Sequence, residues 1–153
     1  MAFIDFFYGG QAQDGAQFNG DSWIYNLHFA VGPGAPNQHE DVATVQTLLS
    51  AAAPTCGGMH AVQIDGRFGP DTQSQILAFQ RYCKAKGAPI AVDGRIDRAR
   101  GNYASVSHTR YTIRYLNDAA YQAHPDYFPK LDDAIPMGMP ATLWRVRARG
   151  VTD

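Results

Sequence analysis

Residues 64–80, IDGRFGPDTQSQILAFQ, decide the fold that the sequence predicts. Asp65 and Gly66 favour a tight turn, because glycine tolerates a positive φ and aspartate can bond to its own backbone. Pro70 and Asp71 suit the first turn of a helix, where proline's missing N–H has no partner to lose and a carboxylate complements the helix dipole. The stretch therefore predicts a turn followed directly by a helix.

The predicted helix is amphipathic and ends near Gly87, because glycine breaks regular structure. We expect the rings of Phe68 and Phe79 to lie in the core. We expect the polar side chains of Thr72 and Gln80 to satisfy buried backbone groups. The residues that share the inward face at helical spacing are Thr72, Ile76, Phe79 and Cys83.

Two more helices are predicted on either side of this one. The first starts at Asn37, which has the capping-box spacing to Glu40, and it stops at Pro54. Its apolar face consists of Val42, Val45, Leu48, Leu49 and Ala52. The other helix runs from about Thr109 to Gln122. Its inward residues are Ile113, Leu116 and Ala120.

A second Asp-Gly turn lies in VDGRID, residues 92–97, so two such turns bracket the helix that ends in Phe-Gln. Together with VATVQTLLSAA at residues 42–52, this arrangement resembles the peptidoglycan-binding domain family, the small three-helix modules attached to bacterial cell-wall hydrolases. The resemblance covers roughly residues 37–121. Besides Val45, Gln46 and Leu49 of the first helix, the residues that carry it are Asp65, Gly66, Phe68, Gly69, Thr72, Phe79, Gln80, Asp93 and Gly94.

The resemblance implies a module that binds peptidoglycan, through its glycan strand or its stem peptide, without catalysis and without a cofactor. Aromatic rings stack on the apolar faces of sugars, and guanidinium groups bind the carboxylates of peptides. We therefore expect a shallow groove that binds weakly. The plainer interpretation is that the tyrosines of this region belong to the core and that its arginines are solvated. The candidate ligand-binding residues are Arg67, Arg95, Arg98, Tyr82, Tyr103 and Tyr111.

The flanking segments are predicted to add a small antiparallel sheet. Residues 1–36 contain a strand-forming run at residues 3–8, and the alternation of Trp23, Tyr25, Leu27, Phe29 and Val31 predicts a second strand. Residues 124–153 contain a Pro-rich loop and a strand in which Arg145, Arg147 and Arg149 alternate with apolar residues. We therefore predict an α+β fold: a three-helix unit at residues 37–123 with a sheet built from the N-terminal hairpin and the C-terminal strand.

Composition excludes several classes of function. The 153 residues carry a net charge of −1, which argues against nucleic acid as a main partner, and no apolar stretch is long enough for a membrane helix. The opening MAFIDFFYGG has no positive side chain, unlike a secretory signal peptide. The expected compartment therefore stays open among the cell envelope, secretion without a signal peptide, and the cytoplasm. Cys56 and Cys83 are expected to be buried thiols, with one disulfide as the alternative.

No catalytic or metal-binding pattern stands out. Asp65 and Asp93 could serve as paired carboxylates, but turn formation accounts for both. The five histidines lack the spacing of a zinc helix, and Cys83 lies on an apolar face where it is expected to be inert. The runner-up to wall binding is a protein-interaction role, as an adaptor or cargo of a bacterial secretion or injection system that contacts its partner through the flanking strands. A small wall-active enzyme is the third alternative.

Overall fold

A computed structural model of the protein describes residues 23–99, 111–123 and 144–147. Within these residues the three predicted helices are confirmed. The elements in chain order are strand β1 (Trp23–Asn26), helix α1 (His39–Ala52), a 3-10 turn (Ala53–Thr55), helix α2 (Pro70–Ala85), helix α3 (Thr112–Ala123) and strand β2 (Trp144–Arg147).

Helix α2 begins and ends where the sequence predicts. Gly69 is its extended N-cap residue, and Pro70 occupies the first helical position. At the other end Gly87 has φ +95°, and its N–H donates to the carbonyl of Lys84 at 2.9 Å. The N–H of Ala88 donates to the carbonyl of Cys83 at 3.1 Å. The left-handed glycine thus lets the chain turn back onto the last carbonyls of the helix.

The predicted capping box at Asn37 is wrong. The N-cap of α1 is Gln38, whose side chain makes no capping bond, and Asn37 has a positive φ of 49°. The Asn37 side chain turns back instead: its Oδ1 accepts the N–H of Gly32 at 2.8 Å, and its Nδ2 donates to the carbonyls of Gly32 and Ala35. The asparagine therefore closes the preceding glycine-rich loop, a use that a spacing rule for helix starts does not distinguish.

The predicted strand over residues 23–31 is also wrong beyond Asn26. The carboxylate of Asp41 on α1 accepts the N–H groups of His28 at 2.8 Å and Phe29 at 3.0 Å. These bonds take the place of a strand ladder, and the Phe29 side chain, expected on the inward face, is 53% exposed. Only Val31 pairs again, in an isolated bridge with Ile96. A buried carboxylate on a helix thus overrides the alternating pattern.

The predicted sheet is not supported in the form expected. Strand β1 runs antiparallel to β2, with Trp23 opposite Arg147 and Asn26 opposite Trp144. Within the described residues, the predicted sheet is reduced to this one pair of short strands. The first strand of the expected hairpin, at residues 3–8, and Arg149 lie outside the described part of the chain.

The core lies among the three helices, and α1 packs most extensively against α3. Phe79 is fully buried, whereas Phe68 is half-buried and packs against the edge of the core. Cys56 and Cys83 are free, buried thiols. The buried faces expected for the helices are therefore confirmed, with Phe68 placed nearer the surface than predicted.

Helix α3 is buried on every side from residue 112 to residue 120. Its Asn117 bonds to the backbone of β1 twice: Oδ1 accepts the N–H of Tyr25 at 2.7 Å, and Nδ2 donates to the carbonyl of Tyr25 at 2.8 Å. Asn26 similarly pairs with both backbone groups of Ala99, at 3.0 and 3.1 Å. Two buried asparagines thus join the segment before α1 to the helical unit.

Asp118 is a buried carboxyl group on the same helix. Its Oδ2 accepts a bond from Gln122 at 3.2 Å, and its Oδ1 has no hydrogen-bond partner within the described structure. Desolvation raises the pKa of Asp118 to about 8, since burial penalises the charged form. The group is therefore mostly protonated in the folded protein at neutral pH.

We predict that Asp118→Asn flattens the pH dependence of stability between pH 4 and pH 8. Across this window the unfolded chain ionises Asp118 while the folded protein keeps it protonated, so the unfolded state binds fewer protons and the free energy of unfolding falls as pH rises. The contribution of one such group is on the order of 1 kcal/mol per pH unit. Denaturant unfolding at several pH values measures the slope.

The control is Glu40→Gln, which removes an exposed carboxylate from the first turn of α1. This variant is expected to keep the slope of the unaltered protein. An equally steep slope in Asp118→Asn would contradict the assignment, whatever the variant does to stability at a single pH.

Candidate functional site

The first Asp-Gly turn is held by one glutamine side chain from α1. Gln46 is 1% exposed, and its Oε1 accepts the N–H groups of Asp65 and Gly66 at 3.0 and 2.9 Å. Its Nε2 donates at 3.0 Å to three oxygens: Asp65 Oδ1, the carbonyl of Arg67 and Thr72 Oγ1. The glutamine thereby joins α1, the turn and the start of α2.

The second turn repeats this arrangement atom for atom. Gln80 is fully buried, and its Oε1 accepts the N–H groups of Asp93 and Gly94 at 3.1 and 2.8 Å. Its Nε2 donates to Asp93 Oδ1, the carbonyl of Arg95 and Thr112 Oγ1 at 3.0 to 3.1 Å. We call each of these two arrangements a glutamine clasp. The second clasp joins α2, its turn and the start of α3.

Each aspartate of the clasps also organises its own turn. Asp65 Oδ1 accepts the N–H of Arg67 at 2.9 Å, and Asp93 Oδ1 accepts the N–H of Arg95 at 3.0 Å. The bond from the Arg67 N–H is the main cause that lowers the pKa of Asp65 below its ordinary value. Gly66 and Gly94 both have φ +73°. Both carboxylates therefore take part in turn formation.

The sequence analysis identified the second Asp-Gly turn, and Gln80 does bond to buried backbone groups as expected, but it overlooked that Gln46 and Gln80 hold the two turns in the same way. The signal is present: a helix carrying Gln46 precedes one Asp-Gly-Arg, and a helix carrying Gln80 precedes the other. The helical threonines that complete the clasps lie at unequal distances, because Thr72 follows its turn closely whereas Thr112 follows after a longer segment. That difference in spacing hides the equivalence of Thr72 and Thr112.

The structure brings together two of the six predicted ligand-binding residues. Arg95 and Arg98 line one cavity, of about 330 Å³, beside the second turn. Arg67 is exposed at the equivalent position of the first turn, away from this cavity. Tyr82 lies at the end of α2, where its hydroxyl donates to the carbonyl of Thr55 at 3.3 Å. The ammonium group of Lys86 lies 5.1 Å from its ring centroid.

Of the remaining two predicted residues, one is described, and it does not line that cavity. Tyr111 precedes α3 and packs half-buried against the core. Tyr103 lies outside the described residues. The described residues therefore do not form the predicted groove in which arginines and tyrosines line the same surface.

Reactive side chains are not gathered into a catalytic arrangement in the described residues. Burial raises the pKa of both the Cys56 and the Cys83 thiol, so neither is a ready thiolate at neutral pH. Within residues 23–99, 111–123 and 144–147, no three His, Cys, Asp or Glu side chains cluster as metal ligands. None of the described helices is long and apolar enough to cross a membrane.

We predict that Gln46→Ala and Gln80→Ala destabilise the protein by similar amounts, about 3 kcal/mol or more each. Each substitution leaves two turn N–H groups and several oxygens without their buried partner, and an unsatisfied buried group costs about 1–3 kcal/mol. The free energy of unfolding by denaturant measures the loss.

The matched control is Gln63→Ala, whose exposed side chain makes no bond to the described residues. It is expected to change stability by less than about 0.5 kcal/mol. A loss at Gln80 as small as that at Gln63 would mean that the second clasp does not hold the turn.

Comparison with known proteins finds a family match for the part of the chain that contains both clasp glutamines. Residues 38–99, about two fifths of the chain, match the sequence profile of a family described as "Putative peptidoglycan binding domain". The matched segment includes α1, α2 and both Asp-Gly turns, and it ends before α3. No curated protein and no solved structure matches the chain significantly. The resemblance predicted for residues 37–121 is thus confirmed over residues 38–99, which are similar to the peptidoglycan-binding family.

Proposed function

We propose that this protein binds peptidoglycan without modifying it. The observation that carries the proposal is the match of residues 38–99 to a family named for peptidoglycan binding. Both turns of this segment are closed by clasps, and the second clasp also joins the segment to α3. The segment is thus a rigid platform whose outer side chains are available for a ligand.

The non-catalytic part of the proposal rests on how the polar groups are used. Wall hydrolysis needs a carboxylate pair, an activated nucleophile or a metal centre. The Asp65 and Asp93 carboxylates are bonded to their own turns, and the two buried thiols are held in their neutral form. Because these carboxylates and thiols have structural roles, we assign the described residues to binding and not to catalysis.

The proposed binding surface follows the two arginines that the repeat displays. Arg67 and Arg95 occupy equivalent positions, each directly after an Asp-Gly pair, and Arg98 lies beyond the second. Guanidinium groups bind carboxylates with paired N–H donors, and carboxylates are the regular charged groups of wall peptides. Binding is expected to be weak and salt-sensitive, because the contacts are exposed and polar.

A second candidate function is capture of a protein partner, as an adaptor or cargo of a secretion or injection system. It is favoured by the segment before α1, which is fastened to the helical unit through Asn26 and Asp41 and yet presents Phe29 to solvent. An exposed ring on a rigid loop is a common anchor of protein interfaces. This candidate uses the surface outside the matched segment.

We predict that the full chain co-sediments with purified peptidoglycan sacculi at low salt and that Arg67→Gln combined with Arg95→Gln reduces the bound fraction several-fold. The substitutions remove two cations but leave the backbone groups used by the clasps. Retention should also fall as the salt concentration is raised, because exposed charge pairs are screened. The bound fraction is measured by quantifying the protein in the pellet and the supernatant.

The control is Arg81→Gln combined with Lys84→Gln, which removes the same charge from exposed positions on α2. This variant is expected to sediment like the unaltered protein. Protein that stays entirely in the supernatant at low salt would overturn the proposal, and equal losses in both double variants would reduce it to non-specific attraction of charge.

A further inference from the structure

The equivalence of the two turns extends to the residue that follows each clasp. The backbone carbonyls of Arg67 and Arg95 each accept a bond from their clasp glutamine at 3.0 Å. The next residues, Phe68 and Ile96, therefore leave the two turns at corresponding points, and both are apolar. The partner of one of these residues indicates what the other can accept.

At the second turn this residue is paired with the segment before α1. The N–H of Val31 donates to the carbonyl of Ile96 at 2.9 Å, and the N–H of Ile96 donates to the carbonyl of Val31 at 2.7 Å. This is the two-bond pairing of an antiparallel bridge. Ile96 is fully buried. A stretch of backbone from elsewhere in the chain thus satisfies both hydrogen-bonding groups of Ile96.

The residue after the bridge has a conformation that L-residues avoid. Gly32 has φ +146°, and an L-side chain there would place its Cβ 2.7 Å from the Cα of Arg95 and 2.9 Å from the carbonyl oxygen of Gly94. Glycine escapes both restrictions. A D-residue escapes them as well, because its allowed dihedral angles mirror those of L-residues and its Cβ lies on the other side of the Cα. The pairing therefore suits an L-residue followed by glycine or a D-residue.

At the first turn the corresponding backbone groups are open. Neither the N–H nor the carbonyl of Phe68 makes a hydrogen bond to the part of the chain that the structure describes. Phe68 is also partly exposed, whereas Ile96 is fully buried. Arg67 is exposed, whereas Arg95 is half-buried. The surface that Val31 covers at the second turn is therefore more accessible at the first.

The ring of His39 does not take the place of that segment. It lies 2.5 Å from where a Cβ of Gly66 would be. At the second turn the side chain of Gln73, which stands at the same helical position relative to its clasp, lies 3.8 Å from the corresponding point at Gly94. Gln73 coexists with the bridge of Val31. A helix side chain at this position is therefore compatible with an extended partner.

We propose that the backbone of Phe68 binds a short extended peptide through the same two-bond pairing, with an L-residue at the bridge and a D-residue after it. Main-chain pairing of this kind supplies the affinity when a peptide adds to an exposed edge. Wall stem peptides contain such L–D steps, whereas ordinary proteins contain L-residues and glycine. The inference rests on the proposed function for its source of peptide. It goes beyond that function by naming the backbone groups that bind and the stereochemistry that they select.

The test is an NMR titration of the full chain with N-acetyl-L-alanyl-D-alanine N-methylamide. This probe is neutral, so attraction of charge cannot produce the signal. We expect a dissociation constant in the millimolar range, because two hydrogen bonds and one small side chain make the contact. The amide signals of residues 66–69 should shift, that of Phe68 most. The amide of Ile96 is the internal control, because it already has its partner.

Two matched peptides separate the contributions. Methylation of the L-alanine nitrogen removes the N–H that would donate to the Phe68 carbonyl, and it is expected to weaken binding about tenfold. The L,L diastereomer keeps both bonds but places its second methyl group where a Cβ of Gly32 would meet Arg95 at the second turn. It is expected to bind about fivefold more weakly than the L,D peptide.

A variant at the second turn should open a second copy of the site. Gly32→Ala is expected to loosen the segment from Ile96, because a Cβ has no room there. The Ile96 amide should then exchange faster with solvent and should shift with the L,D peptide, as the Phe68 amide does. The control is Gly57→Ala, whose Cβ would meet nothing within 4 Å. In this control the Ile96 amide should stay unresponsive.

Four results would overturn the site: no shift at Phe68 with the probe at ~20 mM, well above a millimolar constant, shifts confined to other surfaces, equal binding of the N-methylated peptide, or an Ile96 amide that Gly32→Ala exposes without making it respond. Stronger binding of the L,L form would overturn the assignment to a wall peptide in favour of a segment of an ordinary protein. Sacculus binding without binding of the neutral peptide would overturn this inference and leave the proposed function intact.

Discussion

The described structure depends on two buried glutamine side chains, each of which pairs with both backbone N–H groups of an Asp-Gly turn. Gln46 and Gln80 are buried, so solvent cannot hydrogen-bond to their amide groups. These groups must therefore find their partners inside the protein. Each reaches two sequence-distant elements at once, the turn that follows its helix and the first threonine of the next helix. A polar side chain thus fixes the relative position of helices that apolar packing alone would leave less precisely set.

The second clasp supports a packing contact that the first lacks. By accepting a bond from Gln80, the carbonyl of Arg95 is held in the turn against which Gly32 packs. At the first turn the ring of His39 lies 2.5 Å from where a Cβ of Gly66 would be. The two turns therefore have equivalent clasps but differ in what packs against them.

The sequence predicts those features that depend on local chemistry. Asp-Gly pairs, Pro70 and helical periodicity are signals carried by neighbouring residues, and the three helices follow from them. The failures involve long-range partners. Asn37 closes a loop instead of capping α1, and the backbone after Asn26 leaves the strand because a carboxylate on another element accepts its N–H groups. The sequence names Arg95 and Arg98 as ligand candidates, which stays a prediction, and it gives no sign that Phe29 lines the same pocket, because that depends on how a distant loop folds back.

The most direct measurement is native-state hydrogen exchange of the backbone amides of Gly66 and Gly94. Both amides donate to a buried glutamine oxygen, at 2.9 and 2.8 Å, although both lie in turns at the ends of loops. The account predicts that both exchange only through global unfolding, with protection equal to that of the core of α2. Exchange of either amide at the rate of an exposed turn would contradict the claim that the glutamine clasps hold the helices together.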